Sequence, residues 1–157
     1  MKKFFGKIIC LFLIIFYFSK VDQVQSLIPY YYFPTARNLQ KESLSIAKEA
    51  YQLLYFGQYK ESLNLAKLAI KINKTDAKLW LILSEAQVAN KLYTEGLNSL
   101  NEAQKINPNL SEIYFAKSNI YFKIEQFQNA KKALKTGLSF EPNNHKAIFQ
   151  LGNILLM

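Results

Sequence analysis

Apolar side chains return at three- and four-residue steps through most of the chain. Leu63, Ala66, Ala69 and Ile70 draw one such stripe, and Phe127, Ala130, Leu134, Gly137 and Leu138 draw it again. With about 3.6 residues per turn, those positions share one helix face, so the pattern predicts amphipathic helices that must bury that face against a neighbour. The breaks are legible too. Asn107-Pro108-Asn109 and Glu141-Pro142-Asn143-Asn144 predict stops, since proline cannot continue a hydrogen-bonded helix interior. Asp76, Ser111 and Asn144 stand where the next helices start and are expected to cap their free amides. Gly57, after Phe56, suits a left-handed turn at a helix end.

Sliding the chain along itself until Tyr59 falls on Tyr93 also brings Tyr93 onto Phe127. The same shift aligns small residues twice over, Ser62 with Gly96 and Ala130, and Ala69 with Ala103 and Gly137. It also aligns Ala66 with Leu100 and Leu134, Trp80 with Tyr114 and Ile148, and Lys74 with Pro108 and Pro142. A period of 34 with these residue types resembles the tetratricopeptide repeat, a helix-turn-helix unit with small residues at the helix crossing and proline at its end. The resemblance runs from Ser43 to Met157. It implies an all-α, right-handed superhelical solenoid of about three and a half antiparallel helix pairs. The units divide as 43–76, 77–110 and 111–144, with 145–157 as the first helix of a fourth.

The start of the chain, 1–26, follows another rule. Lys2 and Lys3 precede an unbroken apolar run, Ile8 to Phe18, and Val24-Gln25-Ser26 offers small residues for cleavage. Residues 1–26 are therefore expected to be a signal peptide or a short membrane anchor, which places the protein in the periplasm or thylakoid lumen, or on a membrane. Residues 27–42 are expected to hold an extended aromatic lead-in, Leu27-Ile28-Pro29-Tyr30-Tyr31-Tyr32-Phe33-Pro34, and the start of the first helix. That lead-in is either a flap on the first repeat or a docking segment for a membrane surface or partner.

Composition changes this picture little. Half of the residues are hydrophobic, enough for a continuous core. The formal charge of +9 suggests nucleic acid at first sight. Beyond residue 26, however, 16 basic residues face 10 acidic ones, and Arg37 is the only arginine. Base reading and bidentate phosphate recognition rely mostly on arginine, so a solvated lysine surface is the expectation and nucleic acid is not. Cys10, inside the apolar run, is the one cysteine, which excludes an intrachain disulfide framework and a thiolate metal cluster.

Catalytic chemistry finds no foothold in the pattern. His145 is the only histidine and falls at a helix start, where an exposed role is expected. Carboxylates are spread about one per helix rather than paired, and the glycines are too scattered to cradle a phosphate. No enzyme activity, cofactor or metal is expected.

The resemblance implies instead a groove built by the first helix of each unit, in which a partner's extended peptide lies. It places there Tyr51 and Tyr55 from the first unit, Lys78, Leu81 and Glu85 from the second, and Phe115, Asn119 and Phe122 from the third. Lys146, Phe149 and Asn153 come from the last helix. Asn119 and Asn153 fall in the column where the family often keeps an asparagine for the peptide backbone. Members that grip chaperone C-terminal carboxylates need a cluster of lysine, arginine and asparagine; Ala47 and Tyr51 occupy the first unit's share, so that clamp is not expected.

The expected function is a protein-binding scaffold, exported or membrane-associated. The lysine-, isoleucine-, asparagine- and tyrosine-rich texture is similar to that of tetratricopeptide proteins assisting photosystem I assembly, which extends the expectation to assembly of such a membrane complex. A helical-repeat RNA-binding protein and a non-catalytic tethering subunit of an enzyme complex remain alternatives. The last helix raises a separate expectation. Ile148, Phe149, Leu151, Ile154, Leu155, Leu156 and Met157 surround it almost completely with apolar groups, so its edge is expected to meet further chain or another molecule, including a second copy.

Overall fold

The computed structural model describes residues 35–156. The expected leader and the aromatic lead-in, residues 1–34, lie outside them, as does Met157. The described residues form seven helices: α1 (Ala36–Tyr55), α2 (Tyr59–Ile72), α3 (Ala77–Ala89), α4 (Tyr93–Ile106), α5 (Ser111–Lys123), α6 (Phe127–Phe140) and α7 (His145–Leu155). No strand occurs among them. Each helix packs on the next in sequence, and α1, α3 and α5 also touch in succession. The architecture is therefore the expected row of antiparallel pairs, α1/α2, α3/α4 and α5/α6, followed by a lone α7.

The pairs close through their smallest side chains. Ser62, Gly96 and Ala130 are buried on the second helix of each pair, as are Ala66, Leu100 and Leu134 one turn further on. Ser62 Oγ donates to the Ala50 carbonyl at 2.7 Å, and Ser99 Oγ donates to Gln87 Oε1 at 2.7 Å. Buried hydroxyls are thus satisfied where the helices come closest, removing the penalty of an orphaned polar group. Three apolar clusters run along the array, with Trp80 packed against both the first and the second. Leu79, Leu100, Ile113, Ile120 and Leu134 are fully buried in them, each contributing about 1.5–3 kcal/mol of transfer free energy.

The turns repeat as faithfully as the core. After α1, α3 and α5 the chain passes through Gly57, Lys91 and Glu125, whose φ angles are 76°, 62° and 60°. The next amides, of Gln58, Leu92 and Gln126, donate five residues back to Leu53, Gln87 and Tyr121 at 2.9, 2.9 and 2.8 Å. This is a Schellman end, which satisfies carbonyls that the finished helix cannot reach and demands a left-handed residue. The expectation at Gly57 holds, and the same conformation is imposed on a lysine and a glutamate.

Between units, Trp80 Nε1 donates to the Lys74 carbonyl at 2.9 Å, and the Tyr114 hydroxyl donates to the Pro108 carbonyl at 2.6 Å. These two aromatic residues pin equivalent loops. Asp76 and Asn144 cap their helices as expected, accepting from Lys78 N at 2.9 Å and Ala147 N at 3.0 Å. Ser111 does not. Leu110 is the residue ahead of α5, and Ser111 Oγ, already inside the helix, is bonded to Glu141 Oε2 at 3.0 Å and Glu112 Oε2 at 3.1 Å. Leu110 stands level with Asp76 and Asn144 in the repeat, so Ser111 lies one residue too far along to cap, and its hydroxyl donates to the Glu141 carboxylate instead.

Candidate peptide groove

The first helices of the units, α1, α3, α5 and α7, line one open cleft of about 780 Å³. Its α1 end is aromatic. Tyr51 and Tyr55 come from the last turns of α1, and Tyr59 and Tyr93 from the first turns of α2 and α4. Tyr55 is 86% exposed and stands edge-on to Phe56, 5.6 Å between ring centres. Among the described residues these rings are surface rather than core.

The middle of the cleft is mixed. Phe115 contributes a ring that is itself half-buried against the third cluster, with Gly137 beneath it. Asn119 is exposed on α5 and lines the wall. Charge is supplied by Glu85 and Glu112 together with Lys91, Lys123 and Lys146. The groove walls strip water from the Glu85 carboxyl although solvent still reaches it, which pushes its pKa above the ordinary carboxylate range; the Lys146 ammonium offsets part of that rise.

Of the eleven residues the sequence places in the groove, Tyr51, Tyr55, Glu85, Phe115, Asn119 and Lys146 meet in this cleft. The others lie elsewhere. Lys78 borders a second depression between the start of α1 and the α2–α3 and α4–α5 loops. Leu81 packs on the second cluster, and Phe122 stands edge-on to Phe127 at 5.6 Å. Phe149 and Asn153 are exposed on α7, away from the lining. The sequence pattern did not single out Tyr59, Tyr93, Lys91 and Lys123. The two tyrosines follow the turn at which the chain reverses, and that proximity was a readable signal.

His145 is exposed at the start of α7. Among the described residues no group of three or more histidine, cysteine, aspartate or glutamate side chains could hold a metal ion, and no helix is long and apolar enough to cross a membrane.

Helix pairs repeating at a fixed period with a small-on-small crossing are the fold of the tetratricopeptide repeat, and residues 111–144 match the model of that repeat. Among curated proteins, the chain is 31% identical over 72 residues to Protein SGT1 homolog of Oryza sativa subsp. japonica. That stretch is 46% of this chain but 20% of the relative, so the chain spans about a fifth of that protein's length. Among solved structures, it is similar to the first tetratricopeptide domain of Spaghetti (RPAP3) bound to an HSP90 peptide, SRMEEVD, with a TM-score of 0.70 and 20% identity over 74% of this chain and 93% of that one. It is also similar to the Sgt2 tetratricopeptide domain from Aspergillus fumigatus, with a TM-score of 0.68 and 18% identity over 80% and 82% of the two chains.

Proposed function

We propose that this chain is a binding scaffold that holds an extended segment of another protein along the cleft of α1, α3, α5 and α7. The observation that carries this reading is the chemistry of that cleft. Four tyrosines at one end offer large contact area at low entropy cost, and Asn119 and Glu85 offer an amide and an acceptor for a peptide backbone. The RPAP3 domain similar to this one is bound to a chaperone peptide, which supports a peptide as the kind of ligand. A carboxylate clamp does not fit this chain, because Ala47 is buried and Tyr51 stands in the first unit's share. The segment held is therefore internal or aromatic-seeking rather than an acidic C-terminus.

The test is a peptide array probed with the intact chain and with Tyr55→Ala and Asn119→Ala. Binders that lose on the order of tenfold in affinity with either change support the groove, as loss of a buried anchor predicts. Binding undiminished by both removes it from consideration.

The leader supports a site of action beyond or at a membrane, where such a scaffold serves assembly of a larger complex. N-terminal sequencing of protein from its native source is expected to begin at Leu27; a start at Met1 in the soluble fraction would refute export.

A further inference from the structure

The cleft has two edges of different charge. Because the helix pairs are antiparallel, the ends of α1, α3 and α5 lie along one edge with the starts of α2, α4 and α6, where the chain reverses within each unit. The lining of that edge is Tyr55 and Tyr59 from the first unit, Lys91 and Tyr93 from the second, and Lys123 from the third. No carboxylate joins it there. Glu112 and Lys146 belong to the opposite edge, in the first turns of α5 and α7, and Glu85 stands level with Tyr51 and Asn119 along the floor. Glu61, Glu95 and Glu125 follow the same turns as the lysines but remain outside the lining.

Lys91 and Lys123 are both exposed, and among the described residues neither is paired with a carboxylate. Two unpaired ammonium groups on an edge lined by no acid create a positive potential, whose complement is a carboxylate brought by a partner. Lys91 holds the left-handed turn position, with φ 62°, that Gly57 holds in the first unit. Glu125 adopts the same conformation outside the lining, so the backbone alone assigns no role. What sets Lys91 apart is its place among the tyrosines of the cleft. Spacing fixes what a ligand must carry. Successive units stand about 8–10 Å apart, the usual separation of packed helices, which an extended chain crosses in about three residues.

With the cleft as the peptide site, a reading on which this one rests, we propose that its turn edge selects an internal acidic residue. Lys91 and Lys123 bind an aspartate or glutamate side chain of the held segment, about three residues from an aromatic or proline ring that packs on Tyr55 and Tyr59. The tyrosines supply contact area, and the ammonium groups, which stay in water, supply selection and association rate more than grip.

Titration of the full chain with array peptides that carry the ring and the acid, and with copies in which glutamine replaces glutamate, tests this. At low salt the acidic form is expected to bind about three- to tenfold tighter, an advantage that shrinks as salt screens the charges. Lys91→Gly combined with Lys123→Gln should abolish the preference and leave affinity for the glutamine copies unchanged. Glycine suits the left-handed turn, so that loss is not one of folding, which urea melts verify. Lys67→Gln with Lys135→Gln removes the same charge from exposed positions outside the lining and should keep the preference. Equal binding of both peptide forms by the intact chain overturns the proposal. So does a preference that survives the Lys91 and Lys123 changes, or one lost equally in the Lys67 and Lys135 control; in each case Tyr55→Ala and Asn119→Ala still report on the cleft itself. If no peptide binds at all, both readings fall together.

Discussion

The ring of Phe115 packs on the backbone of Gly137, so close that an added Cβ would stand 2.7 Å from Cδ1 and nearer still to Cε1. This one contact joins the wall of the cleft to the core of the third pair. The glycine is there for space rather than for conformational freedom.

Gly137→Ala is expected to destabilise the chain by about 1–2 kcal/mol, since the backbone-close ring puts overpacking at the upper end of about 1–3 kcal/mol and the gain in helix propensity returns about 1. The ring must swing toward the cleft, so peptide affinity should fall as well. Gly96→Ala is the contrast. There the new methyl meets Ile120 Cδ1 at 3.1 Å and Val88 Cγ2 at 3.2 Å, tips of side chains that can yield. Its stability should stay within about 1 kcal/mol of the parent in urea melts. Equal losses from both changes would contradict this.

Lys91 and Glu125 hold the left-handed conformation that Gly57 holds in the first unit. A side chain there costs about 1–2 kcal/mol, of which glycine's greater unfolded freedom takes back about 0.5–1. Lys91→Gly and Glu125→Gly should each raise the urea midpoint by the equivalent of about 0.5–1 kcal/mol, and Gly57→Ala should lower it by as much. The pair is far enough apart in the array that the two gains should add.

Tyr114→Phe removes the hydroxyl that donates to the Pro108 carbonyl at 2.6 Å and accepts from Gln104 Nε2 at 3.2 Å, while keeping the ring stacked on Phe140, 5.5 Å between centres. A loss of about 0.5–1.5 kcal/mol in thermal or urea unfolding is expected, the usual net value of the shorter bond, since Gln104 can turn to water. Amide exchange should quicken in the loop around Pro108 and remain unchanged around Lys74, whose carbonyl is held by Trp80.

Two charges stripped of part of their water give opposite pH slopes. Glu85 is raised from its ordinary value of 4.5, so between 4.5 and the raised pKa the folded chain binds more protons than the unfolded chain and stability falls as pH rises. Glu85→Gln should flatten that slope, and Lys146→Ala should push the carboxyl higher still by removing the opposing ammonium. Lys117, whose Nζ donates to Asn101 Oδ1 at 2.7 Å and Gln104 Oε1 at 2.5 Å, is lowered from 10.5 by burial. Its contribution is therefore regained as pH climbs through the lowered pKa toward 10.5. Carboxyl and ammonium titrations by NMR would reveal either sign reversed.

Much of this molecule was readable from the chain alone. One repeat period aligned Trp80 with Tyr114 and Ser62 with Gly96, because the same crossing is built each time and tolerates only small residues. The turns were readable where proline or glycine marked them and unreadable at Lys91 and Glu125, where the repeat imposes a conformation the residue does not favour. The groove was half readable. Position within the unit placed Glu85 and Asn119 in it, but it could not tell that the cleft leaves Phe149 and Asn153 outside and draws in Tyr59 and Tyr93. Ser111 looked like a cap because its type suits one, yet the 34-residue register puts Leu110 level with Asp76 and Asn144, a signal the sequence already carried.

The joints between units are not equally strong. Trp80 and Tyr114 latch the first two, but the residue in their place at the third is Ile148, which has nothing to donate, and that loop is tied through the Glu141 carboxylate to Ser111. Under mild denaturant the loop beneath Ile148 should therefore exchange its amides sooner than the loops beneath Trp80 and Tyr114. Joints of unequal strength let one boundary between units breathe while its neighbours stay shut.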